Sequence, residues 1–198
     1  MRNAPFSVTI EVMKIAIFGD SITNGYGAAD YISGKGSKIL KRKLEALHPN
    51  LEVVLHGVNG ETAKDGLRRA NKLVAENADW NFIFFGANDS AKFTEVTAED
   101  FERFLSQIVL KLEPKKTILL TPPYHNDAVH DPDCSNDFIE IYRERTLAVA
   151  KQLSLPVIDV YKLMRTSGKP NEFLQSDGLH FSEKGYQFLA EIINQNIV

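Results

Sequence analysis

The chain has 198 residues, a formal net charge of −3 at pH 7 and one cysteine, Cys134. That length buries a sizeable core without covalent staples, and the lone cysteine excludes an internal disulfide framework or a multi-cysteine zinc site. The slight acidity offers no footprint for nucleic acid, and Lys41-Arg42-Lys43 and Arg68-Arg69, in helical patterns that also carry Glu45 or Asp65, read as solvated faces.

The opening stretch MRNAPFSVTIEV is interrupted by Ser7, Thr9 and Glu11 and does not read as a secretory signal, and no apolar run reaches the length of a membrane span. A cytoplasmic protein with no stable membrane association is expected. Residues 1–12 are either an arm or an upstream extension, with Met13 as an alternative start, and 13–198 form one domain.

From Lys14 onward, apolar β-rich runs alternate with amphipathic helices. Strands are predicted at Lys14–Phe18, Leu51–His56, Trp80–Phe85, Thr117–Thr121 and Pro156–Val160. Most are nearly continuous apolar stretches, as strands covered on both faces require. The helical patterns are SKILKRKLEAL, TAKDGLRRANKLVA with Thr62 as N-cap, TAEDFERFLSQIVLKL opening on Thr97 and Asp100, NDFIEIYRERTLAVAKQL, and SEKGYQFLAEIINQNI with Ser182 as N-cap. This order predicts an α/β domain with a five-stranded parallel, doubly wound sheet.

Ligands of such sheets sit at the carboxyl ends of the strands. The segments expected there are Gly19-Asp20-Ser21, Gly57–Thr62, Gly86–Ser90, Pro122–Asp127 and Ser176–His180. Taken singly, Ser21 reads as a turn or cap residue, Asn88 as a turn asparagine and Asp177-x-x-His180 as an ordinary loop. Gathered at one edge, they fit acyl transfer. A serine hydroxyl needs an adjacent base, a histidine can serve, and a carboxylate on the other ring nitrogen fixes its tautomer. Residues i and i+3 of a turn lie within roughly 7 Å at Cα, so Asp177 can reach His180. The Ser21 N–H, the Gly60 N–H and the Asn88 side-chain amide are candidate donors to a tetrahedral oxyanion.

The blocks FGDSIT, GET at Gly60–Thr62, FFGAND and SDGLHFSEKG resemble, in order, the four blocks of the SGNH (GDSL-type) hydrolase superfamily. FFGANDS, LLTPPY and FLQSDGLHFSEKGY are similar, more narrowly, to the branch of isoamyl acetate-hydrolysing esterases and small acylhydrolases. The resemblance implies a flavodoxin-like three-layer α/β/α sandwich and no cofactor. It also implies Ser21 as nucleophile, Asp177 and His180 as its partners, and Gly60 and Asn88 beside Ser21 in the oxyanion hole. Two positions depart from the family: Leu55 or His56 stands where an asparagine is usual before Gly60, and Ile22 replaces leucine.

Two rival readings are open. One is a metal-dependent hydrolase built from His125, Asp127, His130, Asp131 and Asp133; the other is a non-catalytic binding module on the same sheet. A nucleotide site is not supported, because SGKGSK at Ser33–Lys38 lacks the earlier glycine of a phosphate loop. Gly34 and Gly36 read instead as a flexible approach to the first helix. The expected substrate is a small ester or thioester with a short acyl chain, since no apolar insertion is available to build a trough. The loop 122–136, with Tyr124 and His125, is the candidate substrate wall.

Overall fold

The computed structural model describes residues 12–129 and 134–197. The expectation about residues 1–12 therefore lies almost wholly outside the described residues. In chain order the elements are β1 (Met13–Gly19), α1 (Ile39–Leu47), β2 (Leu51–Gly57), α2 (Ala63–Val74), β3 (Trp80–Phe84), α3 (Ala98–Lys111), β4 (Thr117–Leu120), α4 (Asn136–Leu153), β5 (Val157–Ile158), α5 (Val160–Thr166) and α6 (Glu183–Asn194). The strands form one parallel sheet in the order β2-β1-β3-β4-β5. The reversal of direction around β1 creates the crevice in which sheets of this kind hold ligands.

Period-two alternation decides which side chain enters which layer. Ile15 and Ile17 of β1 join α1 and α6 through Leu40, Leu44, Leu189 and Ile193. Ala16 and Phe18 face the opposite way, toward α2 and α3 through Ala70, Leu73, Leu105 and Ile108. Every strand residue from Ile15 to Phe18 is fully buried, which explains the unbroken apolar run in the sequence. This is the three-layer α/β/α sandwich. Among the described residues no helix is long and apolar enough to cross a membrane.

The helix starts follow their capping chemistry. The Thr97 hydroxyl accepts from Asp100 N–H at 3.1 Å, and that of Ser182 from Gly185 N–H at 3.1 Å. Thr62 turns its N–H and hydroxyl to the Asp65 carboxylate, at 3.2 and 2.7 Å. β5 is shorter than the apolar run suggests. Asp159 accepts from Lys162 N–H at 3.2 Å and starts α5 at once, so the chain leaves the sheet after Ile158.

The approach to α1 is also not flexible. Ile32 and Gly36 form an antiparallel bridge. Asp30 ties this hairpin to Ser37 and to the Arg42 guanidinium on α1. Gly36 has φ +71°, and a Cβ there would collide with Asn24, so the glycine serves a fixed turn.

Candidate active site

β1 delivers Ser21 to the carboxyl edge, where its side chain is nearly buried. Two residues of the turn before α6 complete the arrangement. Ser21 Oγ lies 3.0 Å from His180 Nε2, and His180 Nδ1 lies 2.7 Å from Asp177 Oδ2. Asp177 Oδ1 also accepts from the N–H groups of Leu179 and His180, both at 3.0 Å. Burial pulls the Asp177 carboxyl upward. The hydrogen bonds from the His180 side chain and these two N–H groups outweigh it and hold the group below the usual carboxylate range.

The turn itself is over-determined. Gly178 has φ +72°, and a Cβ there would meet Val129 at 2.6 Å and Asn126 at 3.1 Å. Asn126 N–H donates to the Gly178 carbonyl at 2.8 Å. Asn126 and Val129 thus brace the histidine turn from behind.

Tyr124 and His125, the two residues expected in a substrate wall, are both buried. His125 is completely buried, with Nδ1 at 2.9 Å from the Cys134 carbonyl, and its backbone is paired with Asn136. Tyr124 is buried against Tyr161 and Arg165. Both side chains pack into the base of the loop 122–136. The exposed aromatic residue at the site is Tyr26, whose ring centroid lies 4.5 Å from that of His180. Tyr26 also touches Tyr31, and its carbonyl accepts from Gln175 Nε2 at 2.9 Å. The same nitrogen donates to the Phe181 carbonyl at 2.9 Å, so Gln175 straps the serine loop to the histidine turn. Sequence reading passed over both residues. The only signal was an aromatic residue between two glycines, Gly25 and Gly27, in a segment too polar to be core.

The candidate oxyanion donors converge from three loops. Gly60 has φ +76°, which only glycine adopts without strain, and a Cβ there would stand in open space. Among the described residues the Ser21 and Gly60 N–H groups donate to no other protein group. Asn88 is different. Its Nδ2 donates to the Glu61 carbonyl at 2.9 Å and faces Asp20 Oδ2 at 3.3 Å. Asp20 Oδ1 accepts from Ile22 N–H at 2.9 Å. Next to it, Asp89 accepts from Ala63 N–H at 2.8 Å and Gly86 N–H at 3.1 Å, tying the loop after β3 to the start of α2. Burial pushes both Asp20 and Asp89 up to about 7. Hydrogen bonds oppose the shift in each case, and the charge of Glu61 raises Asp20 while that of Asp20 raises Asp89.

The profile of the GDSL-like lipase/acylhydrolase family matches residues 17–188. The chain belongs to this family. It is a serine-type carboxylic ester hydrolase whose substrate is a small-molecule ester.

Among relatives of this GDSL-type esterase is the isoamyl acetate-hydrolyzing esterase 1 homolog of Bos taurus, 31% identical over 89% of this chain and 78% of that one. The crystal structure of a lipase/acylhydrolase from Enterococcus faecalis superposes with a TM-score of 0.86 at 35% identity, covering 93% of this chain and 95% of that one. A variant of an acetyl xylan esterase from Geobacillus stearothermophilus gives 0.76 at 26% identity, covering 95% and 97%. Catalytic mutants of that esterase replace a serine, an aspartate or a histidine by alanine.

The metal alternative finds no footing in the described residues, where no group of three His, Cys, Asp or Glu side chains could hold an ion. His125 and Asp127 serve the loop's own hydrogen bonds, while His130, Asp131 and Asp133 lie outside the described residues.

Proposed function

We propose that Ser21 is the nucleophile, His180 its base and Asp177 the orienting carboxylate of this esterase. The single observation that carries the assignment is the unbroken relay of 3.0 and 2.7 Å from Ser21 Oγ through the imidazole to Asp177. Ser21 Oγ attacks the ester carbonyl carbon while His180 Nε2 takes its proton. The carbonyl oxygen becomes an oxyanion held by the N–H groups of Ser21 and Gly60 and by the Asn88 amide. Collapse expels the alcohol, which receives the proton from His180, and leaves an acyl-serine. Water then repeats the sequence, with His180 as base, and releases the carboxylic acid.

The proposed substrate is an ester with a short acyl group. Tyr26 is exposed beside the relay, its ring centroid 4.5 Å from that of His180, and offers a compact aromatic contact for a small acyl or alcohol group. The relatives' names point the same way, since isoamyl acetate and acetyl xylan are both acetyl esters. We place the enzyme in the cytoplasm, because a single, buried Cys134 suits a reducing compartment.

Two measurements test the assignment. Purified Ser21→Ala is expected to lose p-nitrophenyl acetate hydrolysis while keeping its melting transition, and a fluorophosphonate is expected to label wild type on the peptide containing Ser21. Turnover by folded Ser21→Ala, or labelling elsewhere in the chain, would overturn it.

A further inference from the structure

We propose that Asp20 is a positioning residue for the oxyanion hole, aiming the Asn88 amide through a buried carboxylate shared with the nucleophile turn. The proposal rests on the reading of Asn88 as an oxyanion donor.

The geometry is economical. Asp20 immediately precedes Ser21 and is 2% exposed. One carboxylate oxygen accepts from Ile22 N–H, on the far side of Ser21, and the other faces Asn88 Nδ2. The Asn88 nitrogen has two hydrogens and two protein partners, the Glu61 carbonyl at 2.9 Å and Asp20 at 3.3 Å. The longer contact is the weaker of the two. The Glu61 bond therefore anchors the amide, and the hydrogen facing Asp20 is the one a developing oxyanion can share or take over. Asp20 holds that hydrogen on the side of the nucleophile turn before substrate arrives, so only this one longer contact has to give way when charge appears, while the Glu61 bond keeps the amide in place.

The surroundings hold Asp20 itself. Arg69 donates to the Gly19 carbonyl at 2.9 Å, and its guanidinium bonds the Glu61 carboxylate at 2.5 Å. Asp89 fixes the backbone on the other side of Asn88. From α6, the Tyr186 hydroxyl donates to the Ile22 carbonyl at 2.9 Å. The acid is thus clamped between the serine turn, the loop before α2 and the loop after β3. A short turn-forming side chain would suffice to bond Ile22 N–H. A full carboxylate is needed only if the second oxygen has work to do at Asn88.

The test is a double-mutant cycle on kcat and KM for p-nitrophenyl acetate. Asp20→Asn leaves one acceptor oxygen where two are used, so either Ile22 N–H or the Asn88 amide faces an NH2 group. It is expected to lower kcat about tenfold to a hundredfold, part of the loss from deleting a donor outright, with KM changed less than twofold. In an Asn88→Ala background the same change is expected to have little further effect on kcat, because the group it aims is gone. Asp20→Ser keeps an acceptor for Ile22 N–H but cannot reach Asn88, and is expected to behave like Asp20→Asn. A kcat loss that is equal in both backgrounds, or full activity of either Asp20 variant, overturns the proposal. If Asn88→Ala retains full kcat while Ser21→Ala is dead, it is the oxyanion reading of Asn88 that fails. Should the Asp20 variants not fold, the Asn88 side-chain resonances of ¹⁵N-labelled wild type decide. Slow solvent exchange of both amide hydrogens supports the proposal, and fast exchange of either one overturns it.

Discussion

The two halves of the site meet at the Ser21–His180 hydrogen bond and the Gln175 strap but are built on different principles. The serine half grows out of the sheet. Its acids, Asp20 and Asp89, are buried, and burial raises both to about 7. The histidine half rides on a turn facing solvent. Its acid, Asp177, has a side chain 43% exposed and is held below the usual carboxylate range by its hydrogen bonds. A group raised on folding holds its proton more tightly in the folded state. The contribution of Asp20 and Asp89 to stability is therefore complete below about 4 and is lost as pH rises toward about 7. Asp177 has the opposite sign: its contribution is present above about 4 and is lost as pH falls through its lowered folded value. Carboxylates at one sheet edge thus favour opposite ends of the pH scale, because one half excludes water and the other does not.

This contrast can be broken most forcefully at His180. Replacement by alanine is expected to lower kcat by about 10⁴-fold or more, as losses of triad members do, while the melting temperature moves by only a few degrees. A large loss of stability would show that the turn is as structural as the sheet half.

Asn88 tests the other side. Asn88→Ala is expected to cost about a hundred- to a thousandfold in kcat. Asn88→Asp is expected to be worse, because it removes the donor to the Glu61 carbonyl and adds a carboxylate opposite Asp20. More activity in Asn88→Asp than in Asn88→Ala would count against an oxyanion role.

A smaller effect is expected from the brace. Gln175→Ala removes both strap bonds to Tyr26 and Phe181, and kcat should drop about tenfold with little change in KM. An unchanged kcat would show that Asn126 and Gly178 suffice to seat the turn.

The mildest test concerns protons. Asp89→Asn cannot ionise, so its melting temperature relative to wild type is expected to climb between pH 5 and pH 8, whatever constant offset the lost acceptor introduces. A flat difference would mean that Asp89 is already ionised throughout that range.

Much of this was legible in the residues because strand periodicity and the chemistry of the carboxyl edge are both local signals. The apolar runs located the strands, and the polar segments after them located Ser21, Asn88 and the Asp177–His180 turn. The misses share a cause. β5 was overextended because an apolar run does not reveal that Asp159 caps a helix inside it. Tyr124 and His125 were expected to face substrate because loop position says nothing about burial. His125 is buried with Cys134 and Asn136 bonded to it from further along the loop. Tyr26 and Gln175, in turn, gain meaning from each other across 149 residues, a relation that no window on the sequence contains.

The Tyr186 hydroxyl bonds the Ile22 carbonyl across 164 residues, and His180 meets Ser21 across 159. During synthesis the N-terminal strand and its serine leave the ribosome long before either partner exists. A nascent chain that has already paired β1 with β2 still has a serine with no base beside it and a turn with no tyrosine behind it. On the proposed assignment, ester attack therefore waits until the turn at His180 and the helix α6 have been made, and chains cut short before that turn are expected to be inert rather than partly active.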